Sequence, residues 1–132
     1  VNLASRLEGA NKNYGTQIMI SDATYSLVKN TLIAREIDII RVVGKTDPIK
    51  VYELVEEREK VDEENARIIK NFEAGIHAYR NLQWEEAISN FDHVLQISPD
   101  DKPAKVYIQR CREYQQAAPT EDWDGVFTLS TK

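Results

Sequence analysis

Residues 34–55 read AREIDIIRVVGKTDPIKVYELV, two apolar segments on either side of a turn that contains glycine and proline. Isoleucine and valine dominate the segment from Ala34 to Val43, as is typical of a strand. Apolar and polar side chains alternate from Ile49 to Val55, which is typical of a strand with one buried face. The intervening Gly44-Lys-Thr-Asp-Pro48 favours a tight turn. The sequence therefore predicts an antiparallel hairpin.

Helical and strand patterns alternate before this hairpin. Apolar residues recur at the helical spacing in residues 1–10, and Gly15 suits a helix C-cap because glycine tolerates positive φ. The segment from Gln17 to Ile20 is predicted to be a short strand. Ser21 offers an N-cap oxygen to a helix that reaches about Lys29. Residues 1–57 thus have the order helix, strand, helix, hairpin, which indicates an α+β fold.

The remaining residues have a different pattern. Residues 58–66 are densely charged and are interpreted as a linker, with an exposed first helical turn as an equally supported alternative. Three apolar stripes at helical spacing predict three helices in residues 67–118. Residues 119–132 form a tail that is too apolar for a free linker. We expect Trp123 to dock on the folded chain, and docking on a partner is the alternative.

Composition excludes several classes of function. A net charge of −5 argues against nucleic-acid or anionic-membrane binding through bulk electrostatics. The single cysteine, Cys111, excludes an internal disulfide and a Cys-rich zinc site, and we expect it to be a small buried apolar residue. The chain begins at Val1 inside a helical pattern, so we expect it to be a part of a longer protein.

Asn2 and Arg6 are the first candidate site residues. They are four residues apart, so on a helix they share a face, and the apolar pair Leu3 and Leu7 shares a neighbouring one. An amide and a guanidinium can orient a polar ligand and stabilise negative charge on a phosphoryl oxygen. By the spacing alone, most pairs of this kind are ordinary surface residues.

A family resemblance adds to this spacing. Residues 1–8, VNLASRLE, resemble the catalytic helix signature of class III nucleotidyl cyclases. The resemblance continues in family order through Ile20-Ser-Asp-Ala-Thr24, Gly44-Lys45 and Val51-Tyr-Glu-Leu54. It implies that residues 1–57 are the C-terminal half of a ferredoxin-like cyclase domain from a bacterial adenylate or guanylate cyclase.

The resemblance implies roles for three residues. Asn2 contacts the nucleotide sugar and positions the 3′-hydroxyl for attack on the α-phosphorus, and Arg6 stabilises charge on the pentavalent phosphate. Lys45 approaches the polyphosphate, with an exposed turn lysine as the even alternative. The family's two metal-binding aspartates lie on earlier strands. We therefore expect Mg²⁺ or Mn²⁺ to be bound by residues outside this chain, with no metal ligand inside it, and these 132 residues alone to make no cyclic nucleotide.

The same resemblance implies partners and location. ATP is the expected substrate, on the strength of the bacterial members of the family, and the intact protein is expected to be a homodimer. No nucleic acid is expected as a partner. The expected location is the cytoplasm, either for a free protein or for the cytoplasmic part of an inner-membrane protein whose membrane segments lie upstream.

Residues 68–101 resemble one tetratricopeptide repeat, a helical hairpin with a period of ~34 residues. Small residues at Gly75 and Ala87 let two helices approach closely, and bulky residues fill the space around the crossing: Trp84, Phe91 and Leu95. The chain departs from the repeat pattern at Ala78, Tyr79 and Val94. A single repeat is too short for independent stability, so we expect the third helix to cap it.

The tail and the helices leave functional alternatives open. Residues 119–126 are similar to the ends of bacterial cyclases that carry a CHASE-type sensor and membrane helices upstream. A protein partner bound through the helical repeat would make the chain an interaction module. A degenerate regulatory cyclase domain is the third alternative.

Overall fold

The structure is a computed structural model that describes Tyr14, residues 18–42 and residues 47–129. The chain divides into two compact units. Unit 1 comprises Val1–Val61 together with Val126–Lys132, and unit 2 comprises Asp62–Gly125. Strands lie in unit 1 and most of the helical residues lie in unit 2. The α+β class is therefore confirmed.

Unit 1 is built on a sheet of four strands in the order β1-β3-β2-β4, namely β1 (Met19–Ser21), β2 (Leu32–Val42), β3 (Ile49–Glu57) and β4 (Phe127–Leu129). The predicted hairpin is confirmed, because β2 and β3 pair antiparallel. Strand β1 is antiparallel to β3, whereas β4 runs parallel to β2. The sequence did not predict β4, which the chain reaches only after the helices of unit 2.

Helix α1 (Asp22–Val28) connects β1 to β2. It begins where the sequence predicted, since the Ser21 hydroxyl accepts a hydrogen bond from the Thr24 N–H at 3.3 Å. Tyr25 of this helix stacks on Tyr52 of β3, with ring centroids 4.3 Å apart. Leu27 points outward and is 85% exposed.

Unit 2 contains helices α2 (Glu63–Arg80), α3 (Trp84–Ile97) and α4 (Lys102–Gln116). Asp62 and Asp101 cap α2 and α4, because their carboxylates accept backbone N–H bonds at 2.8 and 3.1 Å. Arg58–Lys60 form a short 3-10 helix, and α2 begins at Glu63. The end of the charged 58–66 segment is thus the exposed first turn of a helix, the alternative to a linker.

The core of unit 2 is aromatic, and each helix contributes at least one ring. Phe72 and Phe91 meet edge to face at 5.2 Å, and Tyr107 stacks on Phe91 at 5.0 Å. A Cβ atom built on Gly75 would lie 2.7 Å from the Phe91 ring. The predicted small residue at the α2–α3 crossing is therefore required by close packing, and Tyr107 of α4 packs on the rings of both helices.

The tail docks as the sequence led us to expect. The Trp123 indole lies against Tyr79, Trp84 and Tyr114 within unit 2. Among the residues that the structure describes, no helix is long and apolar enough to cross a membrane.

Candidate functional site

The three predicted site residues lie outside the described part of the chain. Asn2 and Arg6 belong to residues 1–13, and Lys45 belongs to residues 43–46. The described structure contains their neighbours along the chain. Tyr14 comes eight residues after Arg6, and β2 ends at Val42, three residues before Lys45. Strand β2 and the residues bound to it are therefore the described part of the chain that lies next in sequence to Lys45.

One face of the β2–β3 pair is buried and carries polar side chains. Arg35 lies opposite Glu53, and Asp38 lies opposite Val51. In a regular strand, residues three apart such as Arg35 and Asp38 would point to opposite faces. A register shift between Glu36 and Asp38 adds one residue to β2, which brings both side chains to the same face as Val51.

Asp38 has no exposed surface, yet both of its carboxylate oxygens have donors. The Tyr14 hydroxyl donates to Oδ2 at 2.5 Å, and the Ile39 backbone N–H donates to Oδ1 at 2.8 Å. Burying an ionised carboxylate is costly unless hydrogen bonds replace its water. The same bonds fix Tyr14, which is itself fully buried, to the middle of β2.

A partly buried ion pair lies on the same face. Arg35 is 4% exposed, and its Nε and one terminal nitrogen both lie 3.0 Å from Oε1 of Glu53. The two side chains project from directly opposite positions of neighbouring strands, so the pair ties β2 to β3. On the half-buried face, Lys50 lies 3.9 Å from Glu36.

The polar groups on this face bind one another. Within the described ranges, no three His, Cys, Asp or Glu side chains come together as a metal site. Cys111 is fully buried in unit 2, and burial raises its pKa to about 11. A thiol that stays protonated is a poor nucleophile, so the expectation of a buried apolar residue is confirmed.

Sequence reasoning missed the residues that form the hydrogen bonds and the ion pair on this face, which we call the polar scaffold: Tyr14, Arg35, Asp38 and Glu53. A signal was present, because Arg35 and Asp38 are charged residues in a strand that is rich in isoleucine. Charged residues at such positions are buried only when they are paired. Their partners lie 18 and 24 residues away in sequence, and no local pattern indicates those distances.

Comparison with known proteins bears on the role of this scaffold. No family model matches the chain, and no solved structure matches it significantly. The protein named adenylate cyclase, terminal-differentiation specific, from Dictyostelium discoideum is 35% identical over 115 residues, which cover 84% of this chain. The chain is related to adenylate cyclases. A second relative, adenylate cyclase 1 from Rhizobium meliloti (strain 1021), is 38% identical over 55 residues, or 42% of this chain.

The extent of these matches is informative. The chain spans 5% of the Dictyostelium adenylate cyclase and 8% of the Rhizobium one. Residues 1–61 make up less than half of the 132 residues, so a match over 84% of the chain must reach well into unit 2. Similarity to an adenylate cyclase therefore includes the helices as well as the sheet.

Proposed function

We propose that this chain is a part of a class III adenylate cyclase that converts ATP to cyclic AMP and pyrophosphate. On this proposal, residues 1–57 are the C-terminal half of the catalytic domain and residues 67–118 are a tetratricopeptide-like extension. The observation that carries the proposal is the 35% identity to the Dictyostelium adenylate cyclase over 84% of the chain. The predicted antiparallel hairpin, with its buried polar face, is consistent with it.

The chemistry falls on the residues that the family resemblance indicates. Asn2 orients the ribose so that its 3′-hydroxyl attacks the α-phosphorus, which forms the cyclic ester and releases pyrophosphate. Arg6 stabilises the negative charge that grows on the phosphoryl oxygens. Lys45 contacts the polyphosphate. The Tyr14–Asp38 bond supports this assignment, because it fixes the chain shortly after Arg6 to the strand that leads to Lys45.

The proposal assigns the metal ions to other residues. We propose that residues outside this chain would hold Mg²⁺ or Mn²⁺, which would supply positive charge to the leaving pyrophosphate. We further propose that the intact enzyme is a homodimer in which Asn2 and Arg6 complete a site shared with the other subunit. Its catalytic part would lie in the cytoplasm.

A chimera tests the proposal. The 132 residues replace the matching segment of the Dictyostelium adenylate cyclase, and formation of cyclic AMP from Mn-ATP is measured. We expect an active chimera whose kcat falls by about 10²–10³-fold on Arg6→Ala, because one stabilising donor is lost. Arg112→Ala, at an exposed position of α4, is the matched control and leaves kcat unchanged.

Three outcomes would contradict the proposal. Cyclic AMP made by the isolated 132-residue chain would contradict the assignment of the metal-binding residues to another part of the protein. Full activity of the Arg6→Ala chimera would remove Arg6 from the mechanism. A folded but inactive chimera would favour a degenerate regulatory domain.

A further inference from the structure

Three aromatic rings, one from each helix of unit 2, form a contiguous surface that we call the aromatic receptor: Tyr79 of α2, Trp84 of α3 and Tyr114 of α4. Trp84 and Tyr114 stack at 5.0 Å, and Tyr79 contacts them at 5.6 and 6.2 Å. Tyr79 is 3% exposed and meets the buried Tyr107 ring edge to face at 4.9 Å. The aromatic receptor is therefore held together by its own ring contacts and by the core beneath it.

The indole of Trp123 lies on the aromatic receptor. Its ring centroid is 5.4 Å from that of Tyr79, 5.8 Å from that of Trp84 and 5.4 Å from that of Tyr114. Trp84, Tyr114 and Trp123 are all half-buried, whereas the Tyr107 ring has no exposed surface. The indole is therefore a surface addition to unit 2 and not a part of its closed core.

The segment that carries Trp123 is shaped by its own hydrogen bonds. The Trp123 N–H donates to the Thr120 carbonyl oxygen at 3.0 Å, and the Thr120 hydroxyl donates to the Asp122 carboxylate at 2.6 Å. Both bonds join residues within three positions of each other, so the turn that presents the indole is local. A turn of this kind loses less conformational entropy on docking than an unstructured segment of the same length.

Charge also characterises this segment. Residues 119–125 contain no basic side chain and three acidic ones: Glu121, Asp122 and Asp124. Gly125, the next residue, lies against α2, since a Cβ atom built on it would be 3.4 Å from Cγ of Arg80. Opposite charges attract at short range, and salt weakens the attraction. The surroundings of the aromatic receptor are therefore suited to a tryptophan with acidic neighbours.

We propose that the aromatic receptor is a docking site for a tryptophan-bearing acidic segment of another polypeptide chain, and that residues 119–125 occupy it as a built-in ligand. The seated tail defines the chemistry of the partner, namely one indole presented by a short turn with carboxylates on either side of it. Trp123 follows the end of α4 at Gln116 by seven residues. This short attachment gives the tail a high effective concentration, so it competes with any external segment of the same kind.

A peptide of residues 118–126, APTEDWDGV, is the probe for the docking site. The isotope-labelled 132-residue chain with Trp123→Ala presents an open receptor. We expect the peptide to shift the amide resonances of Tyr79, Trp84 and Tyr114 with a Kd of about 0.1–1 mM, because a single ring is the anchor. The parent chain should bind the peptide about tenfold more weakly, because its own tail occupies the receptor. No binding to the Trp123→Ala chain would overturn the proposal, and so would equal binding to both chains.

Matched variants locate the interaction on both sides. The peptide with Trp123→Ala should bind the open receptor at least about tenfold more weakly. In the Trp123→Ala chain, a second change of Tyr114→Ala should weaken binding by about tenfold, because one of the three receptor rings is lost. Gln115→Ala, at the neighbouring exposed position of α4, is the matched control and leaves binding unchanged. Equal effects of the Tyr114 and Gln115 changes would contradict the assignment of the receptor.

A third peptide tests the role of charge. With glutamine and asparagine in place of its three acidic residues, the peptide should bind about threefold more weakly and lose the salt dependence of the original. Equal binding of the two peptides at low salt would overturn the acidic part of the assignment.

Two measurements on the chains themselves separate docking from other effects of the Trp123 change. Hydrogen exchange in α2 and α4 should stay slow in Trp123→Ala, because the receptor rings are held without the indole, and a loss of protection there would overturn the proposal. Sedimentation of the parent chain should show no dimer that depends on Trp123. A dimer that is present in the parent and absent in Trp123→Ala would mean that the tail docks on a second copy, which would overturn its role as a ligand of its own chain.

Discussion

Gly75→Ala tests how tightly α2 and α3 pack in unit 2. The added Cβ atom would lie 2.7, 2.7 and 2.9 Å from three carbons of the Phe91 ring, closer than such atoms approach in proteins. The ring has little room to retreat, because it is fully buried between Phe72 at 5.2 Å and Tyr107 at 5.0 Å. Overpacking of this kind costs about 1–3 kcal/mol.

Helix propensity opposes that cost. Alanine is better than glycine inside a helix by about 1 kcal/mol. Because three ring atoms clash and the ring is confined, we take the overpacking term from the upper part of its range. The net free energy of unfolding of unit 2 should then fall by about 1–2 kcal/mol, with a loss in Tm of roughly 4–8 °C per kcal/mol for a unit of this size.

Tryptophan fluorescence during urea unfolding is the suitable assay. Both tryptophans of the chain, Trp84 and Trp123, lie in unit 2, so their emission reports this unit and not the sheet. Ala74→Gly, at the neighbouring exposed position of α2, measures the propensity term alone and should cost about 1 kcal/mol. Replacing Phe91 with a smaller residue should relieve the clash. We therefore expect Gly75→Ala to lower the free energy of unfolding by less in a Phe91→Leu background. A Gly75→Ala chain as stable as the parent, or more stable, would refute the close approach at this crossing.

Two further predictions concern buried groups, one in each unit. Tyr14→Phe should lower the free energy of unfolding of unit 1 by about 1.5–3 kcal/mol, because the buried Asp38 carboxylate loses a donor. Exchange of the β2 and β3 amides measures this loss, and an equal effect of Tyr25→Phe, which keeps its stacking on Tyr52, would contradict the role given to Asp38. In unit 2, the pKa of Cys111 rises from 9.0 to about 11 on folding, so between these values the folded chain keeps a proton that the unfolded chain loses. The free energy of unfolding should therefore decrease as pH rises from about 9 to about 11, and the same decrease in Cys111→Ala would assign it to other groups.

Local pattern predicted much of the fold because the elements themselves are local. The apolar stripes of unit 2, the alternation from Ile49 to Val55 and the cap at Ser21 each depend on residues within a few positions of one another. Gly75 was also predicted for the right physical reason, since only a small residue permits the approach of Phe91. Charge patterns alone do not distinguish a linker from an exposed helical turn, so the sequence of residues 58–66 is compatible with both.

Residue periods and side-chain sizes were thus sufficient to predict the hairpin, the three helices of unit 2 and the small residues where α2 crosses α3. These are properties of short segments, because each depends only on residues that are close together in sequence. Three other features became visible only in the folded chain: the parallel pairing of β4 with β2, the shift that brings Arg35 and Asp38 to one face, and the rings that receive Trp123. The β4 pairing and the contacts of Trp123 join residues that are distant along the chain, and the shift in β2 depends on one extra residue in that strand. Neither cause produces a periodic pattern in the sequence.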